Sequence, residues 1–511
     1  MQRLGQLVRG VFGNWMAMAA GILIGFFLSP FVVAKLGNSS YGVWTLVVSI
    51  ASYMGLLDFG LRGAVVRFVS RGHARGEHEL SSKAVSAALA VRLVIAAVIL
   101  LVSVALSLAA PHVLKIPPEL VRAARLAILI TALNVSVSLT LGVFGGVLVA
   151  LRRFDLTSTV QILQVATRAV GVVLLLRSGY GIVALALWEL FAVVLANLLL
   201  AVICLRQYSE LRVNLRAPDT GILRDLWGYS SWLFLTHVGQ QVIFYTDNLL
   251  VGATISAAAV TFYAIGASLV EYMRGVVSSL SATFTPLASS FEATGEQENL
   301  RRLLIKGTQA TALVALPIEL ALLFRGETFI ALWMGPEYAA VSGAVLRVLV
   351  VSQIVLNLSH TAGGIMYGVA RHKRGAIWTG GEAIANLTLS LILIRYLGLV
   401  GVAWGTLIPA AFVALFLRPR YACSLVGVRV RDFLVQGGVR PLVAAIPYAA
   451  ACYWTNLHWT APNLGIFFLQ IAATLPLFVV GVLLVFRNDA MELWRKRRAG
   501  VSRAASAAAT D

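Results

Sequence analysis

Apolar runs long enough to cross a bilayer recur along this chain, separated by short connections that hold most of its charge. Fourteen such runs are centred near residues 23, 50, 96, 135, 166, 193, 240, 272, 312, 353, 385, 409, 446 and 474. A hydrocarbon core requires about 20 apolar residues per helix. The pattern therefore predicts an all-α integral membrane protein of about 14 transmembrane helices. The N-terminus is basic and then apolar, as in a signal peptide. Its run continues to about Val33 without a small-residue cleavage site, so it reads as an uncleaved first span.

Composition agrees. Of 511 residues, 59% are hydrophobic and 12% charged, with a mean hydropathy of +0.86. A soluble surface of this size could not be covered with so little charge. The formal charge of +19 would fit nucleic acid if it formed a patch, but it falls on alternate connections. One side holds Arg67, Arg71 and Arg75, then Arg152 and Arg153, then Arg301, Arg302 and Lys306, and later Arg429 and Arg431. The other side has little beyond Lys35, Lys115, Arg122, Arg125, Arg177, Arg325 and Arg395. That asymmetry follows the positive-inside rule and places both termini in the cytoplasm. The basic balance thus reports topology and contact with anionic lipid heads, not nucleic acid. Cys204, Cys423 and Cys452 are far apart, and an odd count offers no disulfide framework or metal spacing.

The chain also repeats itself at a shift of about 217 residues. Trp15 matches Trp232, Gly145 and Gly146 before Arg153 match Gly363 and Gly364 before Arg371, and the segment from Gly181 matches that from Gly398. An even number of spans separates the equivalents, so the halves share one orientation, as in transporters whose lobes rock about a central site. The expected division is an N-lobe (1–206, spans 1–6), a cytoplasmic linker (207–226), a C-lobe (227–420, spans 7–12), two additional spans (421–490) and a basic disordered tail (491–511). Residues 223–232 could lie amphipathically on the membrane surface.

With that architecture in view, the segment LGNSSYGVWTLVVSIASYMGLLDFGL (36–61) resembles the start of the polysaccharide-transporter family, the flippases of lipid-linked oligosaccharides used by bacteria for O-antigen, capsule and exopolysaccharide. Tyr41, Gly42 and Trp44, with Asp58, Phe59, Gly60 and Leu61, carry the likeness. The Gly-x-x-Gly-x-Ala-x-Gly-Thr run from Gly398 to Thr406 is similar to that family's twelfth span. The resemblance covers about residues 10–420. It implies two six-helix lobes around a central cavity, alternating access, and kinship with multidrug and toxin extruders and lipid II flippases. An additional helix pair is implied to border a groove for the lipid tail. The implied partners are a polyprenyl-pyrophosphate-linked glycan, membrane lipids, and the polymerase and glycosyltransferases of the same pathway in the bacterial inner membrane.

Such a flippase would need cationic forks for phosphate and amides, hydroxyls and aromatic faces for sugars. Arg274 stands near the middle of an apolar run, where a guanidinium costs at least roughly 2.5–3.5 kcal/mol. It is the first candidate for a phosphate contact, although Glu271 one turn earlier could instead lock it in a local pair. Arg62 and Arg92 are the companion candidates, and Asp58 stands at the i,i+4 spacing of an intrahelical pair with Arg62. Gln240 and Gln241, with His237 one turn before, are the amides most suited to a sugar. Asp58, Glu189, Asp247 and Glu382 are candidates for coupling to a proton or sodium gradient, or for pairing with Arg92, Arg168 or Arg347. Tyr245 and Tyr263 could stack on sugars or belong to an outer aromatic belt.

No phosphate-cradling Gly loop, metal-ligand spacing or nucleophile motif is present, so no cofactor and no catalysis are expected. A drug extruder would favour an acidic cavity, whereas here arginines accompany the acids. A polymerase or ligase would need a long outward loop, whereas the longest outward connections have about a dozen residues. The expected cycle has phosphate engaging Arg274 with Arg62 or Arg92 in an inward-open cavity, which closes as their charges are neutralised.

Overall fold

The computed structural model describes the backbone of residues 2–214 and 220–507, and the side chains of residue 16, of 19–61 and 63–214, of 232 and of 234–487. Among the described residues the chain is helical, without strands. The first half contains α1 (Gln2–Met54), α2 (Leu61–Arg75), α3 (His78–Val113), α4 (Val121–Ala150), α5 (Phe154–Arg177) and α6 (Ile182–Gln207). The second contains α7 (Thr220–Thr254), α8 (Ala257–Ser281), α9 (Phe284–Ala293), α10 (Gln297–Trp333), α11 (Pro336–Gly368) and α12 (Lys373–Phe412). Then follow α13 (Arg418–Val426), α14 (Val430–Phe433), α15 (Arg440–His458) and α16 (Leu464–Ala507).

Each of the fourteen apolar centres falls on a helix. Two helices carry two centres each, because a glycine breaks them internally. Gly37 (φ 75°, ψ 164°) divides α1, and Gly398 (φ 57°, ψ −136°) divides α12. Both conformations are ones that only glycine adopts readily. Among the described residues, nine segments are long and apolar enough to cross a membrane by length and composition. Two of these, Ala19–Asp58 and Lys373–Val426, contain such a break.

The second apolar run ends at Asp58 in a break of the helix, not in a loop. A 3-10 turn (Gly55–Asp58) leads into Phe59 (φ 48°) and Gly60 (φ 76°), both left-handed, and α2 then continues for 15 residues. The helical i,i+4 register expected between Asp58 and Arg62 is therefore interrupted by two left-handed residues. The Arg62 side chain lies outside the described residues.

The repeat extends into the backbone. α4 ends in a turn where Arg152 is left-handed (φ 60°) and the Arg153 N–H donates to Leu148 O at 2.9 Å. α11 ends in the same turn: Ala370 is left-handed (φ 54°) and the Arg371 N–H donates to Met366 O at 2.8 Å. Likewise Gly76 (φ 71°) and Glu77 lead into α3 as Gly295 (φ 72°) and Glu296 lead into α10. The Glu77 N–H bonds Gly72 O, and the Glu296 N–H bonds Phe291 O, both at 2.8 Å. At Glu296 the Thr294 hydroxyl and the Asn299 amide also donate to the carboxylate, holding it below the ordinary carboxylate range.

The chain forms two compact units, Met1–Ile265 with Lys373–Thr406, and Gly266–His372 with Leu407–Asp511. In lipid, helices gain little from apolar burial against one another, so close backbone approach at small residues carries the packing. A Cβ at Gly42 would lie 1.7 Å from Ala257 O in the first unit. One at Gly481 would lie 1.9 Å from Ala444 O in the second. The glycine of the Tyr-Gly-x-Trp segment is thus a contact between helices.

Candidate functional site

The first unit gathers its polar side chains along α7 and the helices packed on it. Asp247 is buried on α7. It accepts hydrogen bonds from the Tyr263 hydroxyl at 2.6 Å and from the Thr406 hydroxyl at 2.9 Å. Thr406 in turn accepts from Asn386 Nδ2 at 2.9 Å, while Asn386 Oδ1 is buried without a hydrogen-bond donor. Glu382, one turn before Asn386, is also buried. A carboxylate, two hydroxyls and an amide are thus joined in one hydrogen-bonded network.

The glycine-rich run explains how Thr406 reaches that point. Gly398 reverses the chain, and Gly401 and Gly405 let the two arms of α12 meet: a Cβ at Gly405 would lie 2.2 Å from Ser390 Oγ and 2.6 Å from its backbone N. The glycines make the turn and the close approach, and Thr406 is the residue of the run that carries chemistry. Tyr263, only 2% exposed, belongs to the Asp247 network and not to an outer belt or a sugar platform.

Further along α7, Gln241 Nε2 donates to Ser52 O at 2.6 Å and Asn248 Nδ2 to Ser49 Oγ at 3.2 Å. The Thr246 and Tyr53 hydroxyls share a hydrogen bond. Gln241 is thereby occupied in joining α7 to α1, whereas its neighbour Gln240 and His237 are exposed. The expected amide pair separates into one structural and one available side chain, as adjacent positions on a helix point in different directions.

A second buried centre lies at the helix break. Arg92 on α3 reaches Asp58 at 2.5 Å through Nη2 and Leu139 O at 2.8 Å through Nη1. Its side chain is 3% exposed and that of Asp58 23%. Glu189 pairs with Arg168 at 2.9 Å, as the sequence allows.

In the second unit Arg274 is partly buried and Glu271 exposed. Arg274 and Arg418 both lie near enough to His360 for their charges to act on it. Arg347 pairs with Glu327 at 2.6 Å, rather than with Asp247 or Glu382. Glu319 is a carboxylate that the reading by residue type passed over. It is 1% exposed on α10 and accepts from Asn357 Nδ2 at 2.9 and 3.1 Å. Its signal was the one that marks the other acids, a charge in the middle of an apolar run. Arg325, counted among the outward-side cations, is instead fully buried. Its Nη2 donates to Gln470 at 2.5 Å, and its guanidinium lies 4.8 Å from the centre of the Phe467 ring.

The profile of the polysaccharide biosynthesis protein family matches residues 7–292, and that of the MatE family residues 233–392. Membrane protein EpsK of Bacillus subtilis is 24% identical over 85% of this chain and 86% of its own length. Agl15 of Haloferax volcanii, whose name describes a low-salt glycan biosynthesis flippase, is 24% identical over 78% and 80%. A Shigella flexneri protein named for O-antigen transport is 19% identical over 77% and 93%. Among solved structures, lipid II flippase MurJ in an inward closed conformation superposes with a TM-score of 0.68 at 14% identity, covering 94% of this chain and 99% of its own. An inward-facing multidrug resistance MATE transporter of the MOP superfamily gives 0.68 at 17% identity, covering 80% and 95%. The fold is therefore that of an all-α membrane transporter.

Proposed function

The chain belongs to the polysaccharide biosynthesis protein family, and on that premise we propose that it is a flippase moving a polyprenyl-pyrophosphate-linked oligosaccharide across the bacterial inner membrane. The family match carries this reading, and the names of the flippase and O-antigen transporter relatives support it. The intramembrane charges are consistent with it. Arginines suit pyrophosphate because a planar guanidinium binds two oxygens at once and keeps its charge out of water. In this reading spans 1–6 and 7–12 act as two lobes in alternating access, both termini are cytoplasmic, and the lipid tail stays in the bilayer. Arg274 is the phosphate contact. Gln240 and His237 are left to meet sugar. Arg92 is assigned to positioning the broken second span, because Asp58 already neutralises it.

Coupling falls to the Asp247 cluster. A carboxylate held only by neutral donors away from water is stabilised by a proton or a small cation. Asn386 Oδ1 and the Thr406 oxygen supply the hard oxygen neighbours that such a cation takes. Glu382, one turn before Asn386 on α12, is a second buried acid. In the second unit, Glu319 with Asn357 is a similar neutral-donor centre.

The match to the MatE profile favours one other reading, a cation-coupled drug extruder. A strain lacking its own flippase and relying on this protein separates the two. Arg274→Ala should lose surface glycan at normal protein levels and leave drug resistance unaltered, while Arg274→Lys retains part of the export. Parental glycan export by Arg274→Ala would remove Arg274 from the site. Loss of drug resistance in place of glycan would favour the extruder.

A further inference from the structure

Outside the charges assigned to transport, the second unit carries a cleft of about 440 Å³ where the first turns of α10 meet the segment joining α13 to α14. Glu298, Arg301, Arg302 and Lys306 project from α10, Arg429 from the facing segment and Asp432 from α14. Four cations therefore face two acids. The spacing of the α10 residues, i, i+3, i+4 and i+8, places them on one face of the helix.

The cleft is built on a firm floor. Leu300, Leu304, Cys423, Val426 and Phe433 are all buried in one apolar cluster beneath it. Arg301 is fixed from the other wall, its Nε donating to Val426 O at 2.8 Å, a carbonyl at the end of α13. Gly427 ends that helix in a left-handed conformation (φ 68°), and a Cβ there would come within 3.0 Å of Arg301 Nη2. The turn thus leaves the guanidinium its place. Glu298 bonds Arg302 at 3.1 Å and lies 3.8 Å from Arg301, so a single carboxylate faces two guanidinium groups. A phosphate entering the cleft would meet positive charge in excess, with Arg301 already held in position.

The cleft opens where α10 begins its crossing of the apolar layer, on the face that the arginine-rich connections assign to the cytoplasm. We propose that it is a binding site for the phosphate of an anionic phospholipid headgroup, separate from the transport pathway and occupied throughout the cycle. Basic hollows between helices at this height are suited to such headgroups, and the volume is ample for a glycerol phosphate. The inference does not depend on which substrate is transported.

The test uses the full-length purified protein and native mass spectrometry with phosphatidylglycerol, with phosphatidylcholine, and with inorganic phosphate as competitor. Phosphatidylglycerol should bind at least about fivefold better than phosphatidylcholine, and Arg302→Gln with Arg429→Gln should remove most of that preference. Arg371→Gln, a basic residue outside the cleft, should leave it intact. Glu298→Gln removes one of the acids and should strengthen phosphatidylglycerol binding, so a readout of opposite sign remains if the double variant fails to fold. Unchanged lipid preference in the double variant, or weakened binding in Glu298→Gln, overturns the proposal. Displacement of phosphatidylglycerol by millimolar inorganic phosphate would assign the cleft to a soluble anion and overturn the lipid assignment.

Discussion

Asp58 and Asp247 belong to the same compact unit and to the same class of residue, an aspartate inside an apolar run, yet their surroundings differ in kind. Asp58 meets the guanidinium of Arg92 at 2.5 Å. Asp247 meets two hydroxyls, and no lysine or arginine pairs with it among the described residues. The first acid has its charge compensated by the protein, so its work is architectural: it fastens α3 to the break between α1 and α2. The second is oriented by neutral donors, with no cation paired to it among the described residues. Intramembrane acids that look alike in sequence are thus separated by the partner, a permanent cation in one case and neutral donors in the other.

Asp58→Asn would test the comparison most severely, because it removes the acid paired with the buried Arg92 guanidinium. The expected loss is about 3–5 kcal/mol of stability, read as a fall in the thermal midpoint in detergent. Adding Arg92→Met should recover most of that loss, whereas a double variant as unstable as the single one would show that the pair is not the fastening. Asp247→Asn keeps the shape and removes the charge. It should fold normally, lose glycan export by an order of magnitude or more, and no longer respond to the proton or sodium gradient. Full, gradient-dependent export by Asp247→Asn would erase the distinction between the two acids.

Gly405→Ala sharpens the picture from the packing side. Its methyl would meet Ser390 backbone, spreading the arms of α12 and drawing Thr406 away from Asp247, at a cost of about 1–3 kcal/mol. Its export defect should resemble that of Asp247→Asn in ion dependence, with a milder amplitude. Thr406→Val is the smallest change. Loss of one hydroxyl should cost about 1 kcal/mol of stability and weaken ion dependence severalfold, and an unchanged ion response would remove Thr406 from the cluster.

Much of this was legible in the sequence because the bilayer reads hydropathy directly. The fourteen apolar centres all fall on helices, and the duplicated Gly-Gly-to-Arg spacing marks the ends of α4 and α11, where the same backbone turn recurs. Side-chain partnership was less legible. The expected Asp58–Arg62 register fails because Phe59, a residue with no intrinsic need for positive φ, adopts the left-handed conformation beside Gly60. Counting charges by side says nothing about depth: Arg325 is buried, and its Nη2 reaches Gln470 on a helix 145 residues later. Arg347 was offered distant acids, although Glu327 on the neighbouring helix is its partner. Asp247 was legible as an acid in an apolar span, but its ligand Thr406 became visible only once the fold of α12 was known.

The matching turns at Arg152 and Ala370 have a practical consequence. A cation and a methyl occupy the same unusual conformation, so what has been kept between the halves is a shape of main chain, indifferent to what hangs from it. Such corners are natural joints for chimeras. Exchanging 148–153 with 366–371 should preserve both helix ends while carrying each half's own chemistry into the other, a route to asking which differences between the halves make the machine directional.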